Sequence, residues 1–162
     1  PLGQRGRFHH NITAAGRTPT RQVLALEQRL ANQREAEALE IDAGAPVQVY
    51  EGISFADQAP IALARSVFPA ERLPNMLDLL RAEPSITRAL AAEGVQDYTR
   101  QTTRLTAKRA SPTQALHLAI PDGAPILRSV SINVSTQGVP VEYGHTWFAG
   151  DRVTLTLSSN DP

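Results

Sequence analysis

Two periodicities in the apolar positions divide this chain into its elements. Residues 47–55 and 61–68 alternate apolar with polar or small side chains and are separated by the turn-forming 57–60, which predicts a β-hairpin. A second pair, 125–133 and 141–148 around a turn at Gly138, repeats that pattern. Residues 95–109 contain four threonines and a tyrosine without glycine or proline, and predict a long strand. Strands are also expected over 21–30 and over 152–157, where Val153, Leu155 and Leu157 alternate with polar neighbours. Helical spacing governs 73–81, through Leu73, Met76, Leu77 and Leu80, and 85–93, through Ile86, Ala89 and Leu90. Ser85 is the N-cap of the second of these and Gly94 closes it. Shorter helices are expected behind Asn32, with Glu35 as the reaching-back partner of a capping box, and behind Ser111, with Pro112 at the first position. One more short helix is expected over 8–15, closed by Gly16.

The two short capped helices belong to a repeat. Ala31, Ala36, Leu39, Ile41, Gly44, Ala45 and Pro46 recur as Ala110, Ala115, Leu118, Ile120, Gly123, Ala124 and Pro125, all at an offset of 79 residues. Beyond the next turn the register slips by one, so Pro60, Ile61 and Phe68 stand opposite Pro140, Val141 and Phe148. Two copies are too few for a solenoid and imply one domain of two related halves. Strands joined by tight turns, with helices inserted between them, describe an α+β domain: an antiparallel sheet with flanking helices, in two pseudo-repeated halves. A cleft between equivalent strands is the natural place for a ligand.

Composition narrows the function. At 162 residues the chain supports one core. Sixteen basic and sixteen acidic side chains cancel, so there is no general positive field to attract nucleic acid phosphates. The absence of cysteine removes disulfides, thiolate metal ligands and cysteine nucleophiles together. No apolar run is long enough to span a membrane and the start is not a signal peptide, so a cytoplasmic location without membrane contact is expected. Residues 1–20 have linker composition and no initiating methionine, which suggests part of a longer protein, with the domain proper over 21–162. The nucleophile-elbow, phosphate-loop, dinucleotide-binding and zinc-protease motifs are missing, and no cofactor or metal is expected.

The candidate ligand residues are marked by their placement. Lys108 is the only lysine, and Arg65, Arg100 and Arg104 lie inside strand segments. A solvated sheet face explains any one of them; a cluster of three would form an anion pocket of guanidinium forks. Ser85 places a hydroxyl beside the N–H groups of a helix start, where capping and anion binding are compatible. Glu142 alternates with Gly144, Thr146 and Phe148 on one face, while Val141, Tyr143, His145 and Trp147 make a core face. The Glu142 carboxylate either faces solvent or accepts from a ligand hydroxyl or amine. His145, opposite Arg65, reads as a core histidine.

The run A-S-P-T-Q-A-L-H-L-A-I-P-D-G-A-P-I-L-R from Ala110, followed by G-V-P-V-E-Y and then G-D-R, resembles the UTRA effector-binding domain of HutC-type GntR-family transcriptional regulators. The resemblance extends to residues 20–24, the G-A-P turn at 44–46, F-A-D at 55–57 and the segment ending at Pro69. The opening P-L-G-Q-R-G-R-F and the segment D-Y-T-R-Q-T-T-R-L-T-A are most like the phosphonate-operon regulators. It implies a chorismate-lyase-like sheet used for sensing and not catalysis, a winged helix-turn-helix domain preceding residues 1–20, DNA contact only through that domain, and a homodimer. It implies a small anionic effector, with Ser85, Glu142 and Phe148 at matching ligand positions. Thr87 stands where the family has a tyrosine, Gly52 and Ser54 where it has arginines, and Ala64 where it has a glutamate. Arg65, Arg100 and Arg104 are then the candidates for replacement positive charge, suited to an organophosphonate or phosphate ester. The alternative is a chorismate-lyase-type enzyme acting on an aromatic carboxylate.

Overall fold

The computed structural model describes residues 19–156 and Ser158. Its elements in order are β1 (Pro19–Leu30), α1 (Gln33–Leu39), β2 (Pro46–Ala56), β3 (Ala59–Pro69), α2 (Met76–Ala82), α3 (Ile86–Ala92), β4 (Tyr98–Arg109), α4 (Pro112–Leu118), β5 (Pro125–Ser135) and β6 (Pro140–Ala149). The strands form one antiparallel sheet in the order β1-β2-β3-β6-β5-β4. Each half contributes three consecutive strands, and the halves join where β3 pairs with β6.

The repeat is realised in atomic detail. Asn32 and Ser111 each form a full capping box, with Glu35 and Gln114, and α1 and α4 each end in a left-handed residue, Glu40 at φ 55° and Ala119 at φ 52°. Gly44 and Gly123 then supply positive φ in the two G-A-P turns. The closing bonds match as well: Ala31 N–H to Ala45 O is 2.8 Å and Ala110 N–H to Ala124 O is 2.9 Å. Two arginines outside the recognised repeat complete it. Arg72 donates to the carbonyls of Leu39, Glu40 and Pro140, and Arg152 to those of Leu118, Ala119 and Pro60. Each guanidinium therefore ties the C-terminal end of its own half's short helix to a strand start in the other half.

α1 and α4 pack on one face of the sheet. The first buries Ala36 and Leu39 against Val47, Val49 and Val67; the second buries Ala115 and Leu118 against Ile53, Leu63 and Ile126. The α2–α3 hairpin covers one end of the opposite face, where Met76, Leu80 and Leu90 meet Tyr50, Phe68 and Val141. Val153 lies at the other end of that face, against Phe148, Ala62 and Ile61.

Several boundaries differ from the sequence expectation. α2 starts at Met76 and not at 73, because Pro74 disfavours helical backbone at Leu73. β4 starts at Tyr98, since Val95 N–H is held by Leu90 O in the turn that ends α3. Residues 153–156 form no strand: both neighbours of β6 are already occupied by β3 and β5, leaving no free edge beside the segment. The helix expected over 8–15 and the linker through residue 18 lie outside the described residues, whereas Pro19 and Thr20 already belong to β1. β4 is an edge strand exposed from residue 101 to 109; it carries Arg100, Arg104, Lys108 and Arg109 and no acidic residue.

Candidate functional site

Directly paired residues of an antiparallel sheet share a face, so the registers assign every strand side chain to one of two surfaces. On the face under α2–α3, one row across the sheet runs Leu26, Tyr50, Ser66, Gly144, Ser131, Thr103. The next runs Val23, Gly52, Ala64, Thr146, Ser129, Leu105. The centre of this face is thus a floor of glycine, alanine, serine and threonine, bordered by the helical hairpin at one end and by Phe148 and Val153 at the other. Large side chains would fill such a floor; small ones leave room over it and point hydroxyls into it.

Glu142 lies at the hairpin end of the floor, only 8% exposed. Ser66 Oγ donates to its Oε2 at 2.7 Å and Asn133 Nδ2 to its Oε1 at 2.8 Å. Arg100 Nε in turn donates to Asn133 Oδ1 at 2.7 Å, and Arg100 Nη1 to Thr103 Oγ1 at 3.1 Å. Burial lowers the Arg100 pKa, and the opposing charge of Glu142 works against that shift. The asparagine therefore couples the guanidinium to the carboxylate, and both carboxylate oxygens already hold a donor. Gly144 leaves this cluster its space: a Cβ there would stand 3.2 Å from Ser131 Oγ and 3.9 Å from Glu142 Oε2.

The structure brings some of the sequence candidates together and separates others. Glu142, Phe148 and Arg100 share the floor's face. Ser85, half-buried, caps α3 by accepting from Arg88 N–H at 3.3 Å, and Thr87 Oγ1 lies 3.0 Å from Tyr98 Oη. Arg65 and Arg104 are on the opposite face, in the row Ala25, Glu51, Arg65, His145, Val130, Arg104. There Arg65 Nε bonds Glu51 Oε1 at 3.0 Å and its guanidinium lies 5.5 Å from the Trp147 ring centroid. The expectation that Arg65 and Arg104 join Ser85 and Glu142 in one pocket is corrected on this ground. Each adjoins a floor residue in its strand, Ser66 or Thr103, and alternation turns it to the other side. Val141 is also corrected, because a register shift in the β5–β6 pairing turns it toward Tyr50 and Phe68 and away from Tyr143.

Four floor-side residues escaped the sequence reading: Ser66, Asn133, Tyr50 and Arg21. Tyr50 is 2% exposed, yet among the described residues its hydroxyl makes no well-formed hydrogen bond. Arg21 stands one repeat before Arg100, so the offset already pointed to it. A depression at the second G-A-P turn, lined by Ile120, Pro121, Ala124, Pro125, Gly150 and Asp151, offers a carboxylate and no cation and does not suit an anion. Among the described residues no group of histidine or acidic side chains is arranged to hold a metal ion, and no helix is long and apolar enough to cross a membrane.

With this geometry established, comparison with known proteins is direct. The UTRA domain family model matches residues 14–154. An HTH-type transcriptional regulator of Rhizobium meliloti is 33% identical over 159 residues, covering 98% of this chain and 65% of the relative. The HTH-type transcriptional repressor PhnF of Mycolicibacterium smegmatis is 24% identical over 156 residues, covering 96% of this chain and 63% of the relative. The chain thus spans somewhat less than two thirds of the length of these two regulators. The crystal structure of the effector domain of PhnF from Mycobacterium smegmatis superposes with a TM-score of 0.82 at 23% identity, over 93% of this chain and 92% of that one. A GntR-family transcriptional regulator from Enterococcus faecalis gives 0.74 at 23% identity, over 86% and 100%. The relatives named here are transcriptional regulators, which speaks against the lyase alternative. This chain belongs to the UTRA domain family, and its fold is that of the solved effector domain of PhnF and of a GntR-family regulator.

Proposed function

We propose that this domain senses a small organophosphonate or phosphate-ester-like anion on the small-residue floor, and that occupancy of the floor controls DNA binding by a separate winged-helix domain. The single observation that carries the reading is the floor itself: two adjacent rows with Ala64, Ser66, Gly144, Thr146, Ser129 and Ser131 at their centre, with hydroxyls and a half-buried guanidinium at hand. The resemblance to phosphonate-operon regulators supports the ligand class, and the repressor PhnF among the relatives supports the regulatory role. The floor lies between the α2–α3 hairpin and the segment after β6, so a ligand there touches both and favours whichever arrangement of the two it fits better. A homodimer in the cytoplasm completes the proposal.

The test is a thermal-shift screen of methylphosphonate, 2-aminoethylphosphonate, phosphate esters and sugar phosphates against the chain and its Gly144→Val variant. At a hundred times its dissociation constant a true ligand stabilises the folded state by about 2.7 kcal/mol. The expected result is stabilisation of the wild type by at least one phosphonate, lost when a side chain at 144 fills the floor while the circular dichroism spectrum is kept. Equal stabilisation of both proteins, or none by any anion, overturns the reading.

A further inference from the structure

The two halves carry equivalent arginines on the floor's face, and among the described residues only one of them has a counter-charge. Arg21 and Arg100 are one repeat apart and hold matching registers: Arg21 pairs with Ser54, which pairs with Ala62, while Arg100 pairs with Asn133, which pairs with Glu142. In the second half this row is a closed relay of guanidinium, amide and carboxylate. In the first half the amide is replaced by the hydroxymethyl of Ser54 and the carboxylate by the methyl of Ala62. Arg21 consequently reaches the Pro84 carbonyl, at 3.3 Å from Nη1, and no carboxylate among the described residues.

Beside Arg21 stands the phenol of Tyr50. The Tyr50 ring lies over Gly52 so closely that a Cβ at 52 would be 2.2 Å from Tyr50 Oη, and that hydroxyl, in a residue 2% exposed, has no well-formed hydrogen bond among the described residues, Arg21 being the donor near it. Burial raises the Tyr50 pKa, and Arg21 is the charged neighbour that opposes the shift. The phenol therefore stays protonated beside the guanidinium. A guanidinium offers only donors; the phenol oxygen can accept one of them and still has its own O–H to donate, so an acceptor beside the pair would meet both.

We propose that Arg21 and Tyr50 form the anion subsite of the floor, where the oxyanion of the ligand takes the place that Glu142 fills in the other half. This rests on the floor being the ligand site. The chemical class is a compact oxyanion, phosphonate or phosphate before carboxylate, because its several acceptor oxygens bond a guanidinium fork and a hydroxyl together. The tied relay at Glu142 then acts as a fixed wall and not as the reader of a ligand amine.

The experiment is calorimetric titration of methylphosphonate and of inorganic phosphate into the wild type, Tyr50→Phe, Arg21→Gln and the double variant, with the three tyrosine ring signals followed by NMR in parallel. Tyr50→Phe removes a hydroxyl that holds nothing together, so its fold is expected to persist. The expected result is a dissociation constant at least tenfold weaker in Arg21→Gln and several-fold weaker in Tyr50→Phe, with the Tyr50 signal shifting on titration of the wild type. Wild-type affinity in both variants, with binding still abolished by Gly144→Val, overturns the subsite and leaves the floor standing. Absence of binding by either probe to the wild type overturns the subsite as well, and the phosphonate screen then decides the floor separately.

Discussion

His145 sits on the face covered by α1 and α4 with its ring 4.9 Å from Tyr143 and 5.5 Å from Trp147, and its Nδ1 has no partner among the described residues. Burial, and after it the charges of Arg65 and Arg128, lower its pKa from 6.5 to about 4. The unfolded chain then binds more protons than the folded one between those values, so stability falls as the pH drops from 6.5 to 4. At about 1.4 kcal/mol per unit, and with allowance for solvent reaching a half-buried ring, the loss is of order 2 kcal/mol. Urea midpoints measured across this window are expected to fall toward acid, and His145→Gln to flatten the slope. Glu35 adds to the loss below its usual range, since Arg29 and the Asn32 N–H outweigh burial and hold its pKa down. On the floor, Glu142→Ala leaves the Ser66 hydroxyl and the Asn133 amide without an acceptor, and a cost of about 2–3 kcal/mol is expected in the same urea assay. The parity of these residues was legible: strand alternation puts Glu142 and Gly144 on one face and His145 on the other. Arg65 pairs with His145 and shares its face, so parity, and not charge, decides where its guanidinium points.

At the scale of elements, the repeat was the most informative signal in the chain. Constant spacing fixed both capped helices and both G-A-P turns, because short-range cap and turn chemistry is written locally. The Arg72 and Arg152 clamps went unread. A side chain bonding main-chain carbonyls leaves no periodic trace, and only their offset of 80, the value reached after the register slip, betrays them. Each clamp is expected to matter about equally. Arg72→Ala and Arg152→Ala each free two carbonyls at a helix end and one at a strand start, and a loss of roughly 2–3 kcal/mol apiece is predicted from the strength of charge-assisted bonds. The two clamps hold opposite helices, so the double variant is expected to show near-additive losses in denaturant midpoints. Strong non-additivity would mean that the halves unfold as one unit through their crossed ties.

For the whole molecule, neutral net charge makes the chain a poor partner for duplex DNA by itself. Fluorescence anisotropy with labelled duplexes is expected to show no sequence-selective binding by these 162 residues at physiological salt. The charge is nevertheless unevenly placed, and β4 carries a concentrated share of its positive half. An exposed edge strand offers unpaired N–H and C=O groups to any strand that meets it, including the same strand of another molecule. Arg100, Arg104, Lys108 and Arg109, without one carboxylate among residues 98–109, make two such edges repel. That repulsion is a property of the solution as much as of the protein: the screening length shrinks from about 10 Å at 0.1 M salt to about 3 Å at 1 M. Light scattering from concentrated samples is expected to rise with added salt, and to rise already at low salt in an Arg104→Thr, Lys108→Thr variant. Colloidal shelf life of the purified domain should therefore be longest in dilute buffer, the reverse of the usual practice of salting a sample to keep it clear.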